Sequence, residues 1–394
     1  MHQVYIVGTG QAPVAEHWER TAASLAAEAL AGALGPVEPA RVGALYVANA
    51  LGGVLGVQSQ LGAAVASAAG LYGVEATTIE AAGASGGVAL RQAYLAIASG
   101  AYDLVAVVGI EKVTDVLDGR LEAGLALSGD ADWEAIHGAT ATAQWAMLMR
   151  RYMHQYGYEA ADFAPFPVNA HANGAANASA LYRFPISIDK VRAAAMVADP
   201  LGMLDCSTVA DGAAALLLAS EGLARELSGT RIRIAGSAVA TDTLALHSRP
   251  DPLWLDAAAR SSSAALRQAG LSLRDIQVLE LTDPHGIAAA LALEACGFAE
   301  RGAGVQCGRE GAITPGGATP LATGGGCKAR GDTVGANGVY QAVELVRQLR
   351  GAAGKAQVRD ARVALAQCLG GIGVTAEFQS PNRDIAEWFR SING

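Results

Sequence analysis

Apolar positions along the chain fall into short, nearly continuous runs separated by helical stretches with one apolar face. VYIVGTG at 4–10 predicts a buried strand entering a Gly turn, and an Ala- and Leu-dense helix follows at 21–34. VGALYVA at 42–48 predicts a second strand, 57–69 an Ala-rich helix, and ATTIEA at 76–81 a short strand. GVALRQAYLAIASG at 87–100 reads as a helix closed by Gly, and DLVAVVG at 103–109 as another buried strand. Strands apolar along their whole length belong to a sheet covered on both faces, so the pattern predicts an α/β layered domain.

The rhythm breaks between 111 and 205, where RRYMHQYGY and VNAHANGAANASALYRFPISIDK are polar, aromatic and rich in turn residues. Such a segment is expected to form an inserted loop domain that carries ligand contacts on a rigid layered core. The α/β rhythm then resumes with RIRIAGSAVA at 231–240, a helix at 254–270, VLELTD at 278–283 and a helix at 286–296. GVYQAVELVRQLRG at 338–351 and ARVALAQC at 361–368 complete it. The helices after Gly87 and Gly338 share a layout, which predicts a tandem duplication; chance recurrence of amphipathic helices is the alternative. The expected division is an N-terminal half over 1–230, containing the 111–205 insert, and a C-terminal half over 231–394.

Composition narrows the function. With 394 residues, 52% apolar and 16% charged, the chain is long enough for a fused pair of domains and too apolar for a tail or scaffold segment. A net charge of -9 leaves no basic excess to neutralise phosphates, so nonspecific nucleic-acid binding is not expected, whereas locally placed Arg and Lys still suffice for an anionic cofactor. No basic-then-apolar leader opens the sequence, and LGAAVASAAG at 61–70 is too short to cross a bilayer and reads as a buried helix. The expectation is a cytoplasmic protein without a membrane span. Five cysteines without metal-ligand spacing argue against a disulfide framework or a structural zinc.

EAAGASGGVALRQAYLAIASG at 80–100, RRYMHQYG at 150–157, MVADPLGMLDCSTVADGAAALLL at 196–218, GGGCKARGDTVGANG at 324–338 and CLGGIG at 368–373 together resemble the thiolase superfamily, in its sterol-carrier-like and archaeal-type branch. The resemblance covers nearly the whole chain. It implies two similar α/β halves stacked as a five-layer αβαβα architecture with a loop domain inserted in the first half, usually as a dimer. Family members make or break the carbon–carbon bond of a 3-oxoacyl-CoA, with one Cys accepting the acyl group, a His activating it and a second Cys moving a proton. That chemistry needs a thiolate beside a base and donors for an enolate oxygen.

The sequence departs from this pattern at several positions. The resemblance places Gly83 at the nucleophile, Asp332 at the activating His and Thr282 at the polar residue of the phrase now reading ELTDPH; Ala322 stands where the branch often has Asn. An Asp cannot reproduce the donor and acceptor pair of a neutral imidazole. Cys368 matches the second Cys and reads either as a proton-handling group or as a retained structural thiol. Asp332 is a base, a water-orienting group or a turn cap. His285 could replace the missing imidazole or face solvent at a helix start, where Asp283 reads as a cap. The N–H groups of Gly83 and Gly370 are the expected oxyanion donors, able to polarise a thioester without attacking it. Arg150, Arg151 and Lys328 are candidate phosphate contacts for CoA, with a solvated surface role as the alternative; His171, with Asn173 and Asn177 nearby, lies in a phrase that borders the tunnel in relatives and reads either as a substrate contact or as a hydrogen-bonded structural group; Tyr340 is a further candidate proton donor if its face turns inward. Cys206 reads as structural.

These residues favour an acyl-CoA-binding protein that cleaves or forms a carbon–carbon bond in an aldolase-like way, with no covalent acyl-enzyme; side-chain-cleaving aldolases of the same architecture also lack the Cys. The alternatives are a noncatalytic subunit or scaffold and a divergent acyltransferase, which would need another nucleophile such as Cys327. No permanently bound cofactor or metal is expected, CoA being part of the substrate. The expected partners are an acyl-CoA thioester, a second copy in a homodimer and a small OB-fold, zinc-ribbon protein.

Overall fold

A computed structural model describes residues 2–116, 119–227, 231–371 and 374–381, the last eight by their backbone. The first half runs β1 (Val4–Gln11), α1 (Ala22–Leu34), β2 (Ala44–Ala48), α2 (Leu61–Ala68), β3 (Glu75–Ile79), α3 (Ser85–Ala98) and β4 (Leu104–Glu111). Next come α4 (Arg120–Ala126), α5 (Ala141–Tyr156), α6 (Pro165–Gly174), α7 (Ile188–Arg192) and the short pair β5 (Met196–Ala198) and β6 (Leu201–Gly202), before β7 (Gly212–Ser220) and α8 (Glu221–Leu227) return to the core. The second half comprises β8 (Ile232–Ile234), β9 (Gly236–Thr241), α9 (Asp256–Ala269), β10 (Val278–Leu281), α10 (Gly286–Ala295), α11 (Gly304–Arg309), α12 (Asn337–Leu349), β11 (Val363–Gly370) and β12 (Val374–Pro381).

Two mixed sheets form, in the orders β3-β2-β4-β7-β1-β8 and β10-β11-β12-β9. In the first, β2 pairs parallel with β3 and β4, while β4, β7 and β1 pair antiparallel in turn. In the second, β10 pairs parallel with β11, and β11, β12 and β9 pair antiparallel. The run β2-β4-β7-β1 thus has its counterpart in β10-β11-β12-β9, which is the duplication in topological form. Residues 228–230, where the expected boundary between halves falls, lie outside the described residues.

Helices α3 and α12 lie between the sheets. Ala89, Leu90, Ala93 and Ile97 of α3 share one buried cluster with Val339, Val343 and Val346 of α12 and with strand residues of both halves. Helices α1 and α2 cover the outer face of the first sheet, with Leu25, Leu30, Leu61 and Val65 packed on Leu45, Leu104 and Leu217. Helices α9 and α10 cover the outer face of the second, joined there by Trp145, Leu148 and Met149 of α5. The result is the five-layer αβαβα arrangement, with β4 and β7 nearly fully buried, as continuous apolar runs require.

The two central helices touch at their N-termini, where a Cβ on Gly86 would stand 2.8 Å from the Val339 nitrogen and one on Gly338 2.5 Å from the Gly87 nitrogen. Glycine is needed there because backbone meets backbone.

Two local expectations change. The helix expected over 57–69 starts at Leu61, because Val57 and Gln60 take positive φ of 49° and 54° and break the turn before it. That helix packs by one face, with Leu61, Gly62, Val65 and Ala66 inward. The strand expected over 231–240 is split at Ala235 into β8 and β9, which belong to different sheets. Among the described residues no helix is long and apolar enough to cross a membrane.

Candidate functional site

A cavity of about 560 Å³ opens where both halves and the loop domain meet. Its walls come from the loop between β2 and α2 (49–61), the turn before α3 (Glu80, Ala82, Gly83), the α4–α5 segment (124–128, Ala141, Trp145) and the C-terminal half (Thr282, Pro284, Asp332, Val334, Asn337, Leu369, Gly371).

The turn before α3 is built by its own short side chains. Ala82 sits at φ 47°, a conformation costly for a residue with a Cβ, and is held there from both sides. Glu80 Oε1 accepts from the Ala82 N–H at 2.6 Å, while the Ser85 hydroxyl donates to the Ala82 carbonyl at 2.7 Å and accepts from the Ala81 N–H at 2.8 Å. Gly83 then faces the tip of β11, and a Cβ added there would stand 2.5 Å from the Leu369 carbonyl oxygen. At the position where the resemblance expects an acyl-accepting thiol, the backbone of the other half leaves no room for a side chain.

The turn before α12 carries a denser polar network. Asp332 Oδ1 accepts from the Val334 N–H at 3.0 Å and from Asn337 Nδ2 at 2.7 Å; Oδ2 accepts from the Ser207 hydroxyl at 3.0 Å. Asn337 Oδ1 in turn accepts from Arg330 Nη2 at 2.9 Å and from the Thr333 N–H and hydroxyl at 3.1 Å each, which fixes which end of the amide faces the acid. A carboxylate offers about four lone-pair sites. Three are used here, and the remaining one is on Oδ2.

Buried Glu111 ties the loop after β2 to the turn before α12. It accepts from the N–H groups of Ala50, Leu51 and Gly335 and from Asn49 Nδ2, at 2.8–3.0 Å. Burial pushes its carboxyl up to about 7 against the pull of those donors. Thr282, at the end of β10, donates to the Gln367 carbonyl at 3.3 Å and accepts from the Leu369 N–H at 2.9 Å, so its hydroxyl fastens the cavity edge of β11.

The expected catalytic residues do not converge. Asp332 lines the cavity, whereas Cys368 lies 1% exposed beneath the start of α12, its thiol 2.9 Å from Gln341 Oε1. Strand alternation explains this: Leu369 and Gly371 border the cavity, and Cys368 and Gly370 occupy the alternate positions. Gly370 is in register with Val374 of β12, and of the two expected oxyanion glycines it is Gly83 that reaches the cavity wall.

His285 precedes α10, 6% exposed, its ring 6.3 Å from that of Trp145; it is neither a solvent-facing group nor a cavity group. It borders a separate small void of about 10 Å³ with Asp205, Asp283 and Lys328. Burial holds its pKa down at about 4, so the ring is neutral. Asp283 reads in sequence as a cap; in the fold it accepts from the Cys327 N–H at 2.7 Å, and burial raises its carboxyl to about 7.

Of the phosphate candidates, burial removes Lys328 and leaves the two arginines on the surface. Lys328 is 4% exposed and donates to the Cys206 carbonyl at 2.5 Å, so it serves the interior. Arg150 pairs with Asp199 on the surface and Arg151 is exposed; neither lines the cavity. Cys327 is buried away from the cavity with its thiol raised well above the usual value by burial, and Tyr340 donates to the Ala12 carbonyl at 2.8 Å.

His171 is buried, its Nδ1 donating to the Phe184 carbonyl at 3.1 Å and its ring stacked on Tyr182. Its neighbours take the hydrogen-bonded structural role, one of the two readings the sequence left open, and Asn169 joins them. Asn169, Asn173 and Asn177, spaced by four, send their amides to the carbonyls of Leu321, Ala322 and Gly324 at 2.9–3.0 Å. The regular spacing was the available signal. Asn337, Ser207, Glu80 and Trp145 are likewise site residues that the sequence left unremarked.

The chain matches the family models "Thiolase, N-terminal domain" over residues 4–222 and "Thiolase C-terminal domain-like" over 238–378. An acetyl-CoA acetyltransferase of Methanothermobacter thermautotrophicus is 39% identical, over 95% of this chain and 98% of the relative. A 17-hydroxy-3-oxo-4-pregnene-20-carboxyl-CoA lyase of Mycobacterium tuberculosis is 30% identical, over 89% and 92%. A solved "Ltp2-ChsH2(DUF35) aldolase" superposes with a TM-score of 0.84 at 25% identity, covering 97% of this chain and 99% of that one. Two matched half-chains, a near-full-length relative and the duplicated five-layer core make the chain a member of the thiolase superfamily.

Proposed function

We propose that the protein binds an acyl-CoA thioester and makes or breaks a carbon–carbon bond next to it without a covalent acyl-enzyme. The observation that carries this reading is the pairing of Gly83, closed to any side chain by the Leu369 carbonyl, with Asp332, whose Oδ2 keeps one lone pair. In the cleavage direction a 3-hydroxyacyl-CoA gives its hydroxyl proton to Asp332. The C3–O bond becomes a carbonyl, the C2–C3 bond breaks, and its electron pair passes to C2 and the thioester as an enolate. Backbone donors at Gly83 hold the enolate oxygen, and the proton returns to C2, leaving a shortened acyl-CoA and an aldehyde or ketone. Cys368 and His285, buried off the cavity wall, touch no substrate in this reading, and Gly83 is the oxyanion donor it uses.

The lyase and aldolase relatives support this chemistry, and the acetyltransferase relative supports thioester binding. Assembly is proposed as a homodimer through β3, an edge strand with exposed Glu75, Thr77 and Thr78. A small OB-fold, zinc-ribbon partner and a cytoplasmic location complete the proposal. The test is incubation with 3-hydroxyacyl-CoA substrates and mass analysis of products and protein. Carbonyl product without a protein adduct supports the reading; an acylated protein, or no product with any partner, overturns it.

A further inference from the structure

We infer that the cavity selects acyl-CoA thioesters whose acyl group is uncharged, with Glu80 as the residue that turns away acyl groups bearing a second carboxylate. This rests on the acyl-CoA reading above and narrows it to a substrate class.

Among the described residues the charged side chains on the cavity wall are Glu80 and Asp332, both acidic, and no Lys, Arg or His lines it. The remaining wall is largely apolar, with Leu51, Val54, Leu61, Leu125, Leu127 and Trp145 presenting hydrocarbon. A cavity of about 560 Å³ with that lining suits an apolar group of drug-like size. The two acids differ in how their charge is met. Asp332 receives three donors, and Arg330 stands behind one of them through Asn337. Glu80 is exposed and receives the Ala82 N–H, and among the described residues no ion pair reaches it.

With no cation on the wall among the described residues, the phosphates of CoA stay outside and the neutral pantetheine arm enters. The acyl group is then the part of the ligand whose charge meets the wall. A carboxylate on it would leave water for an apolar cavity, gain no cationic partner and face two like charges, which is costly on each count.

The test is calorimetric titration of the purified protein with octanoyl-CoA and with suberyl-CoA, which has the same chain length and a terminal carboxylate. The wild type is expected to bind octanoyl-CoA at least about tenfold more tightly at low salt, with the gap shrinking as salt screens exposed Glu80. Glu80→Gln keeps the carbonyl oxygen that accepts from Ala82 and loses the charge, and is expected to narrow the gap to about threefold or less. Equal binding of the two ligands by the wild type, or an unchanged gap in Glu80→Gln, overturns the inference and leaves the acyl-CoA reading standing. Absence of binding by both ligands overturns the acyl-CoA reading and this inference together.

Discussion

The turns that open α3 and α12 occupy equivalent places in the duplicated halves and read almost as one phrase: EAAGASG at 80–86 and DTVGANG at 332–338. Each begins with a carboxylate that accepts from the N–H two residues on, Glu80 from Ala82 and Asp332 from Val334. Each then places a non-glycine residue at positive φ, 47° for Ala82 and 41° for Val334, and passes through a short 3-10 turn into a central helix. The difference lies in what surrounds the acid. Ser85 fastens its turn to itself, whereas Asn337 links Asp332 to Thr333 and Arg330, and Ser207 arrives from 125 residues away. One backbone device was thus kept twice, and the polar machinery was elaborated in the second copy.

The sharpest way to break this comparison is Asp332→Asn. Loss of the base is expected to lower turnover by about 10²–10⁴-fold while acyl-CoA still binds, because the amide keeps an acceptor for Val334. Product formation measured beside calorimetry separates the two effects, and unchanged turnover would move the chemistry elsewhere. Asn337→Ala should destabilise the fold by about 2–4 kcal/mol in denaturant titration, since it strips a partner from a buried guanidinium; Ser85→Ala should cost about 1–2 kcal/mol. Equal costs would erase the claimed asymmetry.

Restoring a thiol by Gly83→Cys is expected to cost about 1–3 kcal/mol by overpacking against Leu369 and to leave the protein without an acyl adduct after exposure to acyl-CoA. A stable adduct would show that the first turn retains the nucleophile's place. The smallest effect concerns Glu280, which burial raises from 4.5 to about 8. Its protonated form is the one the fold favours, so this stability is present below pH 4.5 and is lost as pH rises through about 8. Glu280→Gln should flatten the fall in melting temperature across that window. His285, lowered by burial to about 4, acts in the opposite sense, its contribution being lost as pH falls through about 4.

Much of the layered core was legible because continuous apolar strands and one-faced helices leave a local signature, as in DLVAVVG and GVALRQAYLAIASG. The recognition of Gly83 and Asp332 rested on contiguous phrases, and both do border the cavity. For Cys368 the sequence leaves a proton-handling and a structural reading open, and local information favours the second: the strand extends to Gly370, and its alternation turns the thiol away from the cavity. His285 and Lys328 could not be placed from sequence, because their burial depends on Trp145, Asp205 and Cys206, which are remote in the chain.

The asparagine ladder of α6 and the residues just after it has a consequence for how the molecule tolerates change. Its amides grip main-chain carbonyls, so the clasp itself asks nothing of the gripped side chains, whose limits come instead from the burial of Leu321, Ala322 and Thr323 and from Glu344 against Gly324. The asparagines have no such freedom, since an aspartate at any of them would set an acceptor against an acceptor. Random substitution should therefore leave 169, 173 and 177 as fixed rungs, and the inserted domain stays moored to the distant half through that half's main-chain carbonyls.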